Sequence, residues 1–511
     1  MRTYDRRSFL RTATRLSAAT LLCPDTVLAD PYRPWRRTRQ GATPIRIRGR
    51  VTSSGEGLEN VRVSDGVAVV LTDADGRYEL VSDSMQDFVF VSTPAGHAFG
   101  RNATGTARFY RPLAPDPSGE MAVVFDLHPL RSSDDEHTLL WLPDIQPRSA
   151  WDMERFHEQS VPDVQGTVAS LGDRHVVGMA GGDIVHDDLT LYPEYERGVE
   201  RMGVPFFQVV GNHDLDFEGR SDEETTRTFS RHFGPRYYSF DRGAIHYIVL
   251  DDVFYYGTGY VGYLEHEQLE WLEADLATVE PGSPVVVGLH IPVASTPRFT
   301  LEGDPDDTVS LGNRDAFYRL LEPFEAHVLS GHTHENHHNR TGGVHEHVSG
   351  TVCGAWWSGP ICADGTPNGY SVYDVRGEEI SWRYKSTGYG ADHQMRVYLP
   401  GADPSSPDEL VANVWDADEG WEVVWYEDGQ RKGRMARRIG FDPLSRKIHG
   451  GDALPPRRPW VDPYPRYLHY APVSPETREL RVEATDRSGR TYSGVAAPVS
   501  DSLKAWPVGG G

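Results

Sequence analysis

The sequence contains little cysteine and no long apolar run. Three of its 511 residues are cysteines, which excludes a scaffold held together by many disulfides. Cys353 and Cys362 are the two beyond the first thirty residues, and either a disulfide between them or two buried thiols would fit the sequence. A membrane-spanning helix needs about 20 apolar residues in succession. Because no such run is present, we expect no integral membrane segment.

The sequence also lacks an excess of basic charge. Lys and Arg number 51 against 75 Asp and Glu, which gives a formal net charge of −24. Nonspecific nucleic-acid binding needs a basic surface that displaces counterions from phosphates, so we expect no long nucleic acid as a partner. A phosphate-bearing substrate would have to be attracted locally, and bound metal ions could supply the necessary positive charge.

The first thirty residues are expected to be a targeting segment. Residues 5–11 read Asp-Arg-Arg-Ser-Phe-Leu-Arg, which resembles the twin-arginine export motif. A weakly apolar stretch over residues 12–22 follows, and a small-residue cleavage pattern ends at Ala29. We therefore expect the twin-arginine export machinery to carry the folded chain to the periplasm or the extracellular space. A disordered basic tail is the alternative interpretation.

Composition divides the rest of the chain into four segments. Residues 31–44 are rich in Pro, Arg and Thr and are expected to form a linker. Residues 45–132 show short alternating runs separated by turn residues, which predicts an N-terminal β-sandwich domain. In residues 133–385 short apolar strands alternate with helical segments, a pattern typical of an α/β core. Residues 386–511 are Pro-rich and strand-like, and predict a C-terminal β-rich domain.

The N-terminal segment resembles the carboxypeptidase regulatory-like β-domains. The residues that carry this likeness are Gly49, Val51, Gly57, Val61, Val63, Thr72, Asp73, Gly76 and Tyr78. Residues 73–76 predict a tight turn between two strands. Calcium binding by Asp73 and Asp75 is a less favoured alternative, because an EF-type loop needs further acidic ligands downstream.

Polar residues that can bind a metal follow almost every predicted strand of the α/β core. The carboxyl ends of strands form the ligand crevice in such sheets, so residues that are distant in sequence can meet there. Taken singly, each of these residues is more often a hydrogen-bonded structural group. The set consists of Asp144, Gln146, Asp183, Asn212, His213, Asp214, His290, His332 and His334.

Together these residues resemble the motifs of the calcineurin-like metallophosphoesterase family. The five blocks read Pro-Asp-Ile-Gln at 143–146, Gly-Gly-Asp at 181–183, Gly-Asn-His-Asp at 211–214, Gly-Leu-His at 288–290 and Gly-His-Thr-His at 331–334. The chain is also similar to a bacterial subgroup in which β-domains flank this core. The resemblance implies an α/β fold with a double-sheet α/β sandwich core, flanked by an N-terminal β-sandwich and a C-terminal β-domain.

By resemblance, the family's residue roles imply two divalent or trivalent metal ions. The ligands of the first ion would be Asp144, Gln146, Asp183 and His334. The ligands of the second would be Asp183, Asn212, His290 and His332, so that Asp183 bridges the pair. A metal-bridging hydroxide would attack phosphorus, while His213 protonates the leaving oxygen and Asp214 orients its ring. Manganese, iron and zinc all suit imidazole and carboxylate ligands.

Gln146 departs from the family pattern, which has histidine at this position. A neutral amide oxygen is a weaker ligand for a transition metal than imidazole. We therefore expect the first metal to bind loosely or to be replaced readily by manganese.

Four residues are candidate substrate contacts: Trp356, Trp357, Tyr255 and Arg298. The two tryptophans lie in a stretch rich in glycine and aromatic residues just after the last metal block. Adjacent residues of an extended strand face opposite sides, so at most one of them could line a pocket. Stacking on an aromatic ring would suit a sugar, a base or a choline group.

The last metal block is surrounded by further histidines, at 327, 337, 338, 345 and 347. We interpret most of them as strand or loop residues, with His337 or His338 near the metals. A metal-sequestering tract is a less favoured alternative.

The sequence thus predicts an exported phosphoesterase that hydrolyses a mono- or diester, either of a small molecule or of the cell envelope. The alternative function is that of a catalytically weak, envelope-associated binding protein that uses its β-domains. Retention of Asn212, His213 and Asp214 favours the enzyme, because an inactive site has no need for a leaving-group acid.

Overall fold

The computed structural model describes residues 41–294, 296, 307–450 and 461–499. The predicted targeting segment, residues 31–40 of the predicted linker and Arg298 lie outside the described residues. Within the described part, no helix is long and apolar enough to cross a membrane.

Two sheets form the N-terminal region. The first has the order Glu56–Gly57, Pro44–Ser53, Glu120–Pro129 and His97–Ala98, with Arg77–Asp83 also paired to Pro44–Ser53. The second has the order Val69–Leu71, Arg62–Ser64, Phe88–Val91 and Tyr110–Pro112. Alternate residues of Arg77–Asp83 are buried, as expected for a sheet that buries one face. The predicted turn is present, because the N–H of Gly76 donates to the carbonyl of Asp73 at 2.8 Å.

The core contains two larger sheets. The first has the order Phe206–Val209, His175–Gly181, Glu136–Leu142, Gly369–Arg376 and Glu379–Ser386. The second has the order Tyr238–Arg242, Ile245–Val249, Pro284–Gly288, Glu325–Ser330, Val344–Val348 and His337–Thr341. Residues of both sheets join one hydrophobic cluster. Strand Pro284–Gly288 is buried along its whole length, which explains its continuous apolar sequence.

Helices and one small ribbon complete the core. The helices are Ala150–Arg155, Val161–Ser170, Tyr192–Met202, Asp222–Thr225, Arg227–Phe233, His266–Leu276 and Arg314–Leu321, with a π-helical segment at Phe156–Ser160 and a 3₁₀ turn at Leu189–Leu191. The ribbon pairs Val253–Tyr255 with Tyr260–Gly262. Helix Tyr192–Met202 has proline in its first turn and ends at Gly203 with φ of 79°, which are the usual start and stop signals. Its buried face packs on the first core sheet.

The C-terminal region contains two antiparallel sheets and a helix, Pro443–His449. The first sheet has the order Met395–Tyr398, Glu409–Val414, Pro465–Pro472 and Ala436–Phe441. The second has the order Gln430–Arg434, Glu422–Glu427, Leu480–Thr485 and Thr491–Val495. Their inward residues share one hydrophobic cluster. The predicted fold class, a double-sheet α/β core between strand-rich terminal regions, is confirmed.

Candidate active site

Each block of the motif pattern lies just beyond the carboxyl end of a core strand. Asp144 and Gln146 follow Glu136–Leu142, Asp183 follows His175–Gly181, and Asn212 follows Phe206–Val209. These three strands run parallel to one another. His290 and the pair His332 and His334 follow two parallel strands of the other sheet. Parallel strands end at the same edge, so the two sheets bring the five loops together.

Five of the predicted metal ligands have a backbone that residues other than glycine rarely adopt. Their φ angles are 50° for Asp144, 48° for Gln146, 49° for Asp183, 66° for His332 and 54° for His334. Each such residue costs about 1–3 kcal/mol and persists only where the surrounding structure enforces it. Concentration of this strain on predicted ligands indicates that the loops hold these side chains in place for a functional reason.

Two glycines of the blocks make room for these ligands. A Cβ on Gly182, whose φ is 84°, would lie 2.3 Å from Nδ1 of His290. A Cβ on Gly331 would lie 2.4 Å from Oδ2 of Asp144. Any larger residue at either position would displace a predicted ligand, which gives a steric reason for glycine in two of the five blocks.

The predicted ligands of the second metal lie in mutual contact. Nε2 of His290 is 3.1 Å from Oδ1 of Asn212, 3.3 Å from Oδ1 of Asp183 and 3.2 Å from Nδ1 of His332. Single ligand atoms of Asp183, His290 and His332 all lie within 4.8 Å of one another. Imidazole nitrogens and a carboxylate in this arrangement form a suitable donor set for a transition metal.

Backbone carbonyls determine which nitrogen each ring presents. Nδ1 of His290 donates to the carbonyl of Gly181 at 2.9 Å, and Nδ1 of His334 to that of Gly354 at 2.6 Å. Nε2 of His332 donates to the carbonyl of Thr308 at 2.9 Å. The opposite nitrogen of each ring is therefore left with a lone pair that faces the other predicted ligands.

This arrangement places acceptor atoms against one another, so it requires positive charge between them. Burial lowers the pKa of His290, but the Asp183 carboxylate outweighs burial and raises the pKa to about 10. Burial and His290 lower the pKa of His332 to about 4. Burial raises the pKa of Asp183, but His290 and His213 outweigh it and keep this pKa well below its ordinary value. With no metal ion bound, a proton on Nε2 of His290 supplies this positive charge at neutral pH. A metal ion that replaces the proton would supply it as well.

The predicted ligands of the first metal are arranged less favourably. Nε2 of His334 lies 3.4 Å from Oδ1 of Asp144. Nε2 of Gln146 donates to Oδ2 of Asp183 at 2.8 Å, and its Oε1 lies 3.7 Å from Sγ of Cys353. The amide of Gln146 therefore points its nitrogen at the carboxylate, and metal binding by its oxygen needs the amide to flip.

His213 lies beside the ligand set, but its partner differs from the expected one. Nδ1 of His213 donates to Oδ1 of Asp187 at 2.6 Å, and its ring stacks on that of His186 at 3.9 Å. Asp214, which we expected to orient this ring, is fully buried and accepts hydrogen bonds from the N–H groups of Ile184 and Gly211 instead. The expectation for Asp214 is corrected: it stabilises the backbone of two loops, while Asp187 holds the imidazole.

Electrostatics favour a protonated His213. Burial lowers the pKa of His213, but Asp183 and the hydrogen bond to Asp187 outweigh burial and hold the pKa above its ordinary value. Burial raises the pKa of Asp214 to about 7, and the Asp183 carboxylate acts in the same direction. The raised pKa thus favours a proton on the ring beside the ligand set.

The predicted substrate contacts separate into different environments. The ring of Trp356 stacks on His334 with centroids 4.1 Å apart, whereas Trp357 is buried and donates to the carbonyl of Ile145 at 2.8 Å. Both tryptophans lie in a turn with positive φ rather than in the extended strand assumed from the sequence. Tyr255 is buried, and its hydroxyl donates to the carbonyl of Gly257 at 2.9 Å, so it stabilises its own ribbon.

Several residues beside the site were not identified from the sequence. His186 and Asp187 flank His213, and the ring of Tyr260 lies edge-on to His332 with centroids 6.0 Å apart. The carboxylate of Asp252 accepts from the N–H of His290 at 3.0 Å. His186 and Asp187 lie three and four residues after Asp183 of the Gly-Gly-Asp block, which is the signal that could have indicated them. Cys353 and Cys362 are free, buried thiols.

Three family models match the chain. The model described as "N terminal of Calcineurin-like phosphoesterase" matches residues 45–130. "Calcineurin-like phosphoesterase" matches residues 126–336, and "C terminal of Calcineurin-like phosphoesterase" matches residues 346–492. The chain therefore belongs to the calcineurin-like phosphoesterase family, and the resemblance found in the sequence is confirmed.

Relatives support the same assignment. A bovine protein named serine/threonine-protein phosphatase CPPED1 is 30% identical over 251 residues, which cover 46% of this chain and 74% of the relative. The human protein of that name is 29% identical over 198 residues, which cover 37% of this chain and 58% of the relative. The chain thus spans little more than half of the human relative. Among solved structures, purple acid phosphatase PPD1 from yellow lupin aligns with a TM-score of 0.34 and 14% identity over 67% of each chain.

Proposed function

We propose that this chain hydrolyses phosphate mono- or diesters at a site that holds two metal ions. The proposal rests on the imidazoles of His290, His332 and His334, each of which donates one ring N–H to a backbone carbonyl. The opposite ring nitrogens face Asp183, Asn212 and Asp144. Asp183, Asn212, His290 and His332 would hold one ion, and Asp144, Gln146, Asp183 and His334 the other. When bound, such ions act as Lewis acids that activate water and offset the charge of the phosphate.

His213 would donate the proton that the leaving oxygen needs. Its Nδ1 is committed to Asp187 at 2.6 Å, so Nε2 is the atom that would carry the transferable proton. Stacking on His186 fixes the plane of the ring. Asp187 would serve as a positioning residue that holds the imidazole in the donor orientation, much as a carboxylate orients the imidazole of a catalytic triad.

Trp356 would contact the organic part of the substrate. Its ring lies flat against His334, with an angle of 18° between the planes, and therefore borders the ligand set directly. A flat aromatic surface at this position suits a sugar, a base or a choline group. The names of the relatives, serine/threonine-protein phosphatases, support testing phosphomonoesters, phosphopeptides included, next to diesters.

We also propose that the chain acts outside the cytoplasm, after transport by the twin-arginine machinery. The support is the Arg6-Arg7 motif and the cleavage pattern ending at Ala29. Replacing both arginines with lysine should retain an uncleaved precursor in the cytoplasmic fraction of the producing bacterium. Normal export of that variant would contradict this part of the proposal.

A substrate screen tests the proposed chemistry. Purified protein, loaded separately with manganese, iron or zinc, is assayed with p-nitrophenyl phosphate, bis-p-nitrophenyl phosphate, and choline and glycerol phosphodiesters. We expect turnover of at least one ester class, and loss of it in Asp183→Asn. His266→Ala serves as the matched control, because the side chain of His266 is 83% exposed. Absence of turnover in a fully metallated sample would contradict the proposal.

A further inference from the structure

Four histidines lie close together on three neighbouring strands of the second core sheet. His327 lies on Glu325–Ser330, His338 on His337–Thr341, and His345 and His347 on Val344–Val348. In register, His327 pairs with His345 and His338 pairs with His347. Because alternate residues of a strand share a face, His345 and His347 point the same way, and their ring centroids are 4.0 Å apart.

Nitrogen atoms of these rings are close enough to share an ion. Nδ1 of His327 lies 2.9 Å from Nε2 of His347, and one ligand atom from each of His327, His345 and His347 lies within 4.8 Å of the others. A tetrahedral ion with Zn–N distances of about 2.0–2.1 Å separates its ligand nitrogens by roughly 3.3–3.4 Å. The rings of His327 and His347 would need to move apart by only a few tenths of an ångström to reach this separation.

The rings are available as neutral ligands. Burial holds the pKa of His347 and of His345 well below the ordinary value, and burial lowers the pKa of His327 to about 4. A metal ion would therefore meet no competition from protons at neutral pH. Nδ1 of His347 is buried and has no hydrogen-bond partner among the described residues. A buried polar atom without a partner costs the folded state about 1–3 kcal/mol.

We propose that His327, His345 and His347 bind one transition-metal dication of the zinc, copper or nickel class, at a site separate from the candidate active site. Imidazole is a preferred ligand of these metals. The ion would link Glu325–Ser330, which carries His327, to Val344–Val348, which carries His345 and His347. It would also stabilise the contact with the C-terminal region, since Nε2 of the adjacent His338 lies 2.8 Å from Oδ1 of Asp416.

A cavity of about 500 Å³ gives an ion access to the cluster. His327, His345, Arg340 and Trp382 are among the residues that line it. Arg340 competes with the ion, because its Nη2 lies 2.9 Å from Nδ1 of His345. The side chain of Arg340 is half exposed, and its Nη2 lies 3.5 Å from Oδ2 of Asp418. Asp418 can therefore pair with the guanidinium when an ion displaces it from His345.

Metal binding is measured on the full chain in an Asp183→Asn background, which removes the carboxylate shared by the two ions of the candidate active site. The protein is stripped with chelator and titrated with Zn²⁺ alone, and bound zinc is counted per chain after desalting. We expect one zinc to remain bound and to raise Tm by several degrees. His327→Ala should weaken this binding at least tenfold and remove the Tm rise, whereas the exposed control His266→Ala should change neither.

Arg340→Gln provides a second variant in the same background that leaves all four histidines intact. Removal of the competing cation should tighten zinc binding, which a merely structural histidine cluster would not show. The proposal is overturned if His327→Ala binds zinc as tightly as His266→Ala, or if Arg340→Gln leaves the zinc affinity unchanged. Because the background already lacks Asp183, neither result depends on the proposed phosphoesterase function.

Discussion

Nδ1 of His213 donates a 2.6 Å hydrogen bond to Oδ1 of Asp187, and this pair decides which atom of the ring can deliver a proton. Asp187 itself has φ of 66°, so the loop after Asp183 adopts a constrained backbone that directs this carboxylate at the imidazole. The pair lies beside Asp183, whose Oδ1 accepts from the N–H of His213 at 2.9 Å.

Asp187→Asn should slow the hydrolysis of poor leaving groups more than that of good ones. The amide can no longer stabilise the imidazolium, and general acid catalysis contributes about 10²–10⁴-fold. We expect kcat to fall by at least about tenfold for an alkyl phosphate and by little for p-nitrophenyl phosphate. Equal losses on both esters would remove Asp187 from this role. Asp188→Asn is a neighbouring control, since Asp188 caps its own turn.

Gln146→His should increase occupancy of the first metal position. The structure directs the amide nitrogen of Gln146 at Asp183, whereas an imidazole would offer a stronger ligand atom. We expect the affinity for the more weakly bound ion to rise on the order of tenfold, the lower end of what ligand-shell changes produce. Isothermal titration with Mn²⁺ measures this, and Gln165→His on the exposed surface is the control. Unchanged affinity would mean that residue 146 does not contact that ion.

His246 should make the folded state less stable at alkaline pH. Its ring lies between Asp241 and Asp275, at 2.6 and 2.7 Å. Burial lowers the pKa of His246, but the two carboxylates outweigh it and raise the pKa to about 9. Because this exceeds the ordinary value of about 6.5, the stabilisation is complete below about pH 6.5 and is lost as the pH rises through about 9.

Urea unfolding of His246→Gln at pH 6 and pH 9.5 tests this dependence. Relative to the unsubstituted protein, the loss of unfolding free energy should be greater at pH 6 by roughly 3 kcal/mol, from about 1.4 kcal/mol per pKa unit. His266→Gln, at an exposed position, should show no such difference. A loss that is the same at both pH values would contradict the assigned role of the two carboxylates.

Arg466 links the C-terminal region to the segment that follows His334 in sequence. Its Nη1 donates to Oδ2 of Asp364 at 2.7 Å, the same atom that accepts from the N–H of Asn336 at 3.0 Å. The side chains of Arg466 and Asp364 are 5% and 0% exposed. Arg466→Met should therefore cost about 3–5 kcal/mol, because it leaves a buried carboxylate without its partner.

Arg431→Met is the matched control for that substitution. Arg431 also pairs with a carboxylate, that of Glu422, but the two side chains are 53% and 56% exposed, and such pairs contribute about 1 kcal/mol or less. Chemical denaturation of both variants gives the comparison. Similar losses for the two would show that the buried pair does not hold the C-terminal region to the core.

The strands and helices of the core follow from residue patterns, but their pairing does not. An apolar run at 285–289 predicts a strand and a helical period over 265–278 predicts a helix. The structure has these elements at Pro284–Gly288 and His266–Leu276. Gly369–Arg376 lies between Glu136–Leu142 and Glu379–Ser386 in the first core sheet. It therefore pairs with a strand, Glu136–Leu142, that is more than 200 residues away in sequence. Such a contact is determined by packing in the whole core rather than by local preference.

The site shows the same limit. Residue types and strand ends indicate the ligand set, because metal chemistry restricts the choice to a few side chains. Which carboxylate reaches His213 depends on loop backbone angles, and Asp187 rather than Asp214 does so. Likewise the turn at Trp356 and Trp357, and not strand alternation, places one ring on His334 and the other in the core.

The central claim is tested most directly by comparing the metal-loaded chain with Asp183→Asn. The measurement is turnover of p-nitrophenyl phosphate and of bis-p-nitrophenyl phosphate. Asp183 contacts Gln146, His213 and His290, so its carboxylate is the group on which both ion positions depend. We expect the unsubstituted chain to turn over at least one of the two esters and Asp183→Asn to lose at least roughly a thousandfold, since several kcal/mol of charge stabilisation depend on the ions. Retained turnover in Asp183→Asn would contradict the account.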